Sequence, residues 1–234
     1  MKNKFTYLIT VLFIAAIGIS CNDNDDNKEK TNFTGTWEYG SKGDIHFEFE
    51  YAEENISLPQ SIVNLIPKDN LPDFVKKMDL TSIPVSLASP FFKKYAKGQM
   101  QKYFRGITFL PNQEMEVLMT MKGEPVSVKT TYEIQKNVLK MNIQSDDFKT
   151  LTGGKIPAMI QSVDLNYVFN DDKLTLYLDT KYVKVLLNAA PIMMKNADMD
   201  ETLKKEISDF ISEFSKNIKT LEIGAILLAT SEEN

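Results

Sequence analysis

The sequence predicts a mainly β fold: an antiparallel up-and-down barrel of about eight or nine strands, with helical insertions. Apolar and polar residues alternate with a period of two in many short segments, which is typical of half-buried strands. Short turn signals such as Gly43-Asp44 and Lys136-Asn137 separate these segments and favour hairpins, and Asn tolerates a positive φ in such a turn. The hydrophobic content of 43% and charged content of 25% are those of an ordinary globular domain.

Two strands and a helical insertion are predicted in the first half of the chain. The first strand begins around residues 34–39, and residues 45–51 alternate as a second strand. Prolines interrupt residues 55–104 repeatedly, which indicates an insertion between strands. Ser89 is a good N-cap and Pro90 suits a first turn, so this pair predicts a helix from Pro90 to about Tyr103.

An antiparallel meander follows the insertion. Strands are predicted at residues 107–110, 115–121, 126–135 and 139–143, joined by short turns. Residues 145–157 are predicted to be a loop. Strands at 163–169 and 174–178 form the next hairpin.

The C-terminal part predicts two helices, inserted at about 181–220, and a closing strand. Residues 182–194 are apolar nearly all round, although Pro191 should kink or end this helix. A capping box at 198–201 precedes an amphipathic helix whose apolar positions run from Leu203 to Leu221. Residues 223–229 are predicted to be a strand. We therefore expect residues 32–234 to form a single domain.

The N-terminal segment has the pattern of an export signal. Lys2 and Lys4 precede the apolar run at residues 5–19, and Ser20 precedes Cys21, the only cysteine. The segment Gly18-Ile19-Ser20-Cys21 resembles a bacterial lipobox. It implies that residues 1–20 are removed and that Cys21 carries the lipid. The alternative is an uncleaved N-terminal helix with an incidental cysteine.

Residues 21–31 are predicted to be an acidic flexible tether. They contain no apolar residue after Cys21, so they cannot contribute to a core. The alternation of Asp and Asn also suggests a calcium loop, but the glycine and distal glutamate of an EF-hand are missing. The acidic run resembles the surface-export signal of Bacteroidetes-type lipoproteins, which implies an outer-membrane lipoprotein at the cell surface.

The β segments resemble lipocalin-like domains of the calycin superfamily. Gly35-Thr36-Trp37 is similar to the G-x-W motif of that group, and the hairpins from Ile107 to Leu139 are similar to those of Bacteroidetes lipoproteins. The resemblance covers residues 33–52 and 106–180. It implies an up-and-down barrel whose interior can be filled or can hold a ligand. The T-D-Y motif is absent, and Arg105, the only arginine, is no counterpart of the late arginine that packs on the tryptophan.

Alternation and the resemblance together predict which side chains face the barrel interior. Methionines are frequent among them, and methionine lines adaptable apolar pockets but also fills cores. Trp37 can likewise be a motif residue or a plain core tryptophan. The candidate ligand-lining residues are Trp37, Phe47, Phe49, Met115, Met119, Met121, Tyr132, Met141 and Tyr167.

No motif points to catalysis, so no catalytic residue and no cofactor are predicted. His46 is the only histidine and is expected on the exposed face of a strand. Together with one lipidated cysteine it does not supply the usual zinc ligands, so no metal site is predicted. The pairs Asp146-Asp147 and Asp171-Asp172 are expected to cap turns.

The charge pattern argues against nucleic acid as a partner. The net charge is −5, and the basic run in residues 91–106 is expected to be a solvated helix face. Contact of that run with anionic lipid head groups or acidic glycans is the alternative.

Two functions remain open at this point. The first is a non-enzymatic, lipid-anchored barrel that binds a small apolar or amphipathic ligand. The second is an accessory or structural lipoprotein that docks on an outer-membrane assembly through its helical insertions.

Overall fold

The computed structural model describes residues 33–40, 44–65, 77–121, 123–152, 161–170, 172–194 and 199–230. The predicted signal, the tether and Cys21 lie outside these ranges. Within them, no helix combines the length and the apolar character needed to cross a membrane.

The secondary structure alternates between hairpins and helical insertions. The first half of the chain forms β1 (Gly35–Glu38), β2 (Asp44–Tyr51), β3 (Asn55–Ser57), α1 (Gln60–Leu65), β4 (Ser82–Pro84), α2 (Val85–Tyr103) and β5 (Phe104–Phe109). The second half forms a 3-10 turn (Pro111–Gln113), β6 (Glu114–Met121), β7 (Glu124–Gln135), β8 (Val138–Asn142), α3 (Asp146–Thr152), β9 (Ser162–Asn170), β10 (Lys173–Leu178), α4 (Thr180–Met194), α5 (Glu201–Asn217) and β11 (Ile218–Ala229).

Eight antiparallel strands close into a barrel. Their order is β1-β5-β6-β7-β8-β9-β10-β11, and β11 returns to β1 through the pairs Trp37–Ala229 and Glu38–Leu228. From β5 to β11 each strand pairs with the next one in the chain, as an up-and-down meander requires. The antiparallel barrel with helical insertions that the sequence predicts is therefore confirmed.

A ninth strand, β2, extends the sheet beyond the closed barrel. It pairs with β11 from Asp44–Ile226 to Tyr51–Ile218, whereas β1 pairs only with the C-terminal end of the same strand. The long helix α2 packs against β2, β5 and β6. This helix therefore covers the side of the barrel where β2 leaves the closed sheet.

The main core lies inside the barrel. Met115, Leu139, Leu174 and Leu227 point inward from four different strands, and none has any exposed surface. Side chains of two helices join the same cluster, namely Phe148 of α3 and Tyr182, Val183 and Leu186 of α4. Because these helices follow the strand ends, they close one end of the barrel.

A smaller apolar cluster joins the helices outside the barrel. Ile62 of α1, Ala190 and Met194 of α4, and Ile207 and Ile211 of α5 form its buried centre. The helix α5 is amphipathic as predicted, and the Asp200 side chain caps it by accepting hydrogen bonds from the backbone N–H groups of Thr202 and Leu203. Asp198, the first residue of the predicted capping box, lies outside the described residues.

The predicted start of α2 and the predicted end of α5 are wrong, and Pro191 does not end α4. α2 begins at Val85, so Pro90 lies inside the helix and Ser89 is not its N-cap. Likewise, α4 continues through Pro191 to Met194. A proline removes one backbone hydrogen bond, but buried neighbours such as Ala88 and Ala190 pack against the rest of the protein and stabilise both helices. α5 ends at Asn217, four residues before Leu221, because β11 begins directly after it.

Two local predictions are also corrected. Residues 146–152 form the helix α3 within the segment predicted as a loop, with Asp146 and Asp147 in its first turn. In the β7–β8 hairpin, Lys136 has the positive φ of 53° that was expected of its neighbour.

Candidate functional site

Most of the predicted ligand-lining residues belong to the filled core. Trp37, Met115, Met141 and Tyr167 are buried in the main cluster, and Met119 and Tyr132 pack against it partly buried. A water-sized cavity would leave exposed area on the side chains that line it. Met115 has none, so the interior around it is occupied by neighbouring side chains.

The barrel end at which the described chain begins is closed by aromatic rings. Phe33, which is 1% exposed, contacts Phe109 at 5.2 Å, Tyr167 at 4.9 Å and Phe169 at 6.2 Å between ring centroids. No sequence pattern indicates the burial of Phe33, because this residue precedes the first strand and belongs to no alternating segment. Its position shows that the chain enters the fold at this end and fills it.

Trp37 has partners other than an arginine. Its indole Nε1 donates a hydrogen bond of 3.0 Å to the carbonyl oxygen of Phe33, and its ring meets Phe169 edge-on at 5.5 Å. The Tyr167 hydroxyl at the same end donates to the carbonyl oxygen of Lys136. A buried tryptophan whose indole N–H has a hydrogen-bond partner is typical of a structural role.

The predicted residues Phe47, Phe49 and Met121 are only partly buried. Phe47 lies opposite Ile223 and Phe49 opposite Leu221 in the β2–β11 ladder, so both face the same side of the sheet as the main core. They stay partly exposed because β2 lies beyond the closed barrel. Met121 is the last residue of β6.

Phe49 belongs to a second aromatic group, here called the outer aromatic cluster. Its members come from β2, α2 and α5, and all are partly exposed: Phe49, Tyr51, Phe91, Phe92, Phe210 and Phe214. Phe49 meets Phe92 edge-on at 5.7 Å and stacks on Phe214 at 6.2 Å. Tyr51 stacks on Phe214 at 5.5 Å, and burial raises the pKa of the Tyr51 phenol.

The outer aromatic cluster arises from elements that lie far apart in the sequence. Period-two alternation places Phe49 and Tyr51 on one face of β2, and helical spacing places Phe210 and Phe214 on one face of α5, where they stack at 5.7 Å. The sequence analysis identified each stripe separately. Their meeting depends on the pairing of β2 with β11, which follows α5 directly.

A cleft beside the β6–β7 pair, within the described residues, is too small for a sizeable ligand. It has a volume of about 180 Å³ and is lined by Leu110, Glu114, Met115, Lys129, Thr130 and Thr131. Binding pockets for drug-sized molecules usually have about 300–1,000 Å³ and mostly apolar walls.

The basic run on α2 is partly engaged by internal contacts. The Lys97 ammonium lies 2.8 Å from Asp44 and holds the pKa of that carboxyl below its usual range. The Arg105 guanidinium donates to the Thr120 hydroxyl. Lys93 and Lys94 are exposed, as predicted for a solvated helix face.

The expected capping of a turn is not seen for Asp147, whose carboxylate contacts a neighbouring strand. The Asp147 carboxylate accepts a hydrogen bond of 2.9 Å from the backbone N–H of Lys129, which ties α3 to β7. Asp171 lies outside the described residues.

Three polar side chains lie close together on the outer face of the sheet: His46, Glu48 and Glu222. No sequence pattern links the two glutamates to His46, and Glu222 falls between a predicted helix and a predicted strand. The two glutamates become neighbours of His46 through the β2–β11 register alone.

Comparison with known proteins gives no match: no family model, no curated protein and no solved structure is similar to the chain.

Proposed function

We propose that this protein is a lipid-anchored, non-enzymatic binding protein that takes a small apolar or amphipathic ligand at the outer aromatic cluster. The barrel would act as a rigid scaffold. This differs from the expectation of a ligand inside the barrel, because the described interior is occupied by the protein's own side chains.

The observation that carries the proposal is the incomplete burial of the outer aromatic cluster. Aromatic rings contribute large apolar areas, and cores of this size normally bury them. Here six rings from three elements contact one another, and each keeps part of its surface accessible. A flat molecule or an acyl chain can pack on such a surface. Its polar end can contact the carboxylates of Glu53 and Glu213 and the amide of Asn217, which lie near Tyr51.

The anchoring part of the proposal rests on the sequence. Cys21 follows the predicted signal, and residues 22–30 form a spacer without apolar residues. Phe33 enters the fold directly after this spacer. An N-terminal lipid would therefore hold the barrel close to a membrane surface and leave the outer aromatic cluster accessible.

Phe214→Ala should weaken binding of the flat, amphipathic dye 1-anilinonaphthalene-8-sulfonate about tenfold. Phe214 contacts Phe49, Tyr51 and Phe210, so its removal dismantles the centre of the cluster. A tenfold change corresponds to about 1.4 kcal/mol, which is within the contribution of one aromatic ring. Fluorescence titration measures the affinity, and circular dichroism verifies that the variant is folded.

The matched control is Phe169→Ala. Phe169 is 43% exposed and lies at the other end of the barrel, away from the cluster. This variant should keep the affinity of the unmodified protein. Equal affinities in all three proteins would contradict the proposed site.

Docking on an outer-membrane assembly is the second candidate function. The two most exposed large apolar side chains on the described helices are Leu87 on α2 at 45% and Ile192 on α4 at 52%. Single exposed residues are common on protein surfaces, but these two lie on the segments that interrupt the barrel pattern.

If the protein docks through these insertions, the double variant Leu87→Ser, Ile192→Ser should recover about tenfold less partner from detergent-solubilised membranes. Loss of buried anchor side chains at an interface costs about 2 kcal/mol or more. Val168→Ser is the control, since Val168 is 54% exposed but lies on a barrel strand. Unchanged recovery by the double variant in quantitative mass spectrometry would exclude this surface.

A further inference from the structure

The register of β2 and β11 collects three potential metal ligands on the outer face of the sheet. His46 and Glu48 are two residues apart on β2, so both point to the same side. Glu48 lies directly opposite Glu222 on β11, and His46 lies opposite Gly224. The imidazole and both carboxylates therefore stand on adjacent positions of one surface.

The distances within this group fit a single ion. One ligand atom of each residue lies within 4.8 Å of the other two. The His46 Nε2 atom and the Glu222 Oε2 atom are 2.8 Å apart. Metal bonds to imidazole nitrogen and carboxylate oxygen are about 2.0–2.2 Å long, so two ligands of one ion stand about 3–4 Å apart and small side-chain rotations suffice.

Two of the three side chains are partly shielded from solvent, whereas Glu48 is exposed. The side chains of His46 and Glu222 are 22% and 24% exposed. β11 lies between β2 and β10, so the backbone that carries Glu222 is held on both sides. Ligands on a fixed scaffold lose little conformational entropy when they bind an ion.

Tyr177 and Gly224 position the imidazole. Gly224 lies between His46 on β2 and Tyr177 on β10, and the two rings meet across it at 4.4 Å between centroids. A Cβ atom on residue 224 would lie 2.5 Å from the Cβ atom of Tyr177 and 1.9 Å from the carbonyl oxygen of Leu176. Only glycine leaves space for this contact.

The local charge favours a cation. Carboxylates directly opposite each other on neighbouring strands repel, and Glu48 and Glu222 have this arrangement. Burial raises the pKa of the Tyr177 phenol, and the negative charges of Glu222, Asp179 and Glu48 raise it further. The surroundings of the group are therefore negative, and a bound cation would relieve the repulsion.

We propose that His46, Glu48 and Glu222 form a binding site for a divalent first-row transition metal ion such as Zn²⁺. One imidazole and two carboxylates suit these ions, whereas Ca²⁺ and Mg²⁺ prefer oxygen ligands alone. Three protein ligands leave a coordination position for water or for a group on a partner. The site is independent of the proposed ligand surface, which lies on the other face of β2.

Calorimetric titration of the full-length protein with Zn²⁺ tests the proposal. The protein carries no histidine tag and has the Cys21→Ala exchange, so that neither a tag nor a free thiol binds zinc. One saturable site per chain is expected, with His46→Gln and Glu222→Gln each weakening it at least about tenfold. Equal amounts of Ca²⁺ or Mg²⁺ should not displace the zinc.

Glu50→Gln is the matched control, because Glu50 is the next outward carboxylate on β2 and lies outside the group. It should leave the affinity within about twofold of the parent, a small free-energy difference. Thermal unfolding is the second measurement: Zn²⁺ should raise the Tm of the parent and of Glu50→Gln but not that of His46→Gln. Non-saturable binding, or equal affinity in the parent and His46→Gln, would overturn the proposal.

Discussion

Cys21→Ala should abolish acylation and stable membrane association and leave the barrel folded. Cys21 is the only cysteine, so no other thiol can carry the lipid. The buried cluster begins at Phe33, and residues 22–30 add no apolar side chain to it. Several acyl chains together give firm attachment, whereas their loss leaves no described helix that could span the membrane. Metabolic labelling with a fatty-acid analogue and membrane fractionation measure both effects.

Asn27→Ala is the control for this exchange, since it alters the tether and retains the cysteine. It should remain labelled and membrane-bound. If Cys21→Ala were still labelled, or were processed and membrane-bound like the parent, the lipoprotein interpretation would be wrong. The N-terminal apolar run at residues 5–19 would then have to act as an uncleaved anchor.

Phe33→Ala should lower the free energy of unfolding by about 3–5 kcal/mol, the usual cost of removing a fully buried phenylalanine. The ring is 1% exposed and contacts Phe109, Tyr167 and Phe169. It closes the end of the barrel, so its loss leaves a cavity that backbone relaxation cannot easily fill. Urea denaturation in the Cys21→Ala background, followed by Trp37 fluorescence and circular dichroism, measures the change.

Phe169→Ala is the comparison within the same aromatic group. Phe169 contacts Phe33 and Trp37 but is 43% exposed, so its removal should cost about 1–2 kcal/mol. A cost for Phe33→Ala no larger than that of Phe169→Ala would show that Phe33 does not close the barrel end.

The candidate sites could be predicted only in part. Alternation correctly assigned Met115, Met141 and Tyr167 to the interior, because side-chain direction in a strand depends on position alone. Whether that interior holds a ligand depends on how Phe33, Phe148 and the α4 side chains fill the ends, and those contacts are long-range. Glu222 lies 176 residues from His46 along the chain, and no spacing rule links them.

The sequence by itself determined the fold class, the hairpins from β5 to β10 and the amphipathic character of α5. These features depend on local periodicity, turn residues and capping, which act over a few residues. Only the tertiary structure decided that β2 leaves the closed barrel and pairs along β11, that α2 continues through Pro90, and that α5 ends at Asn217. Packing against distant elements outweighs local preferences at these positions, because burial of a helix or strand face stabilises more than one lost hydrogen bond costs.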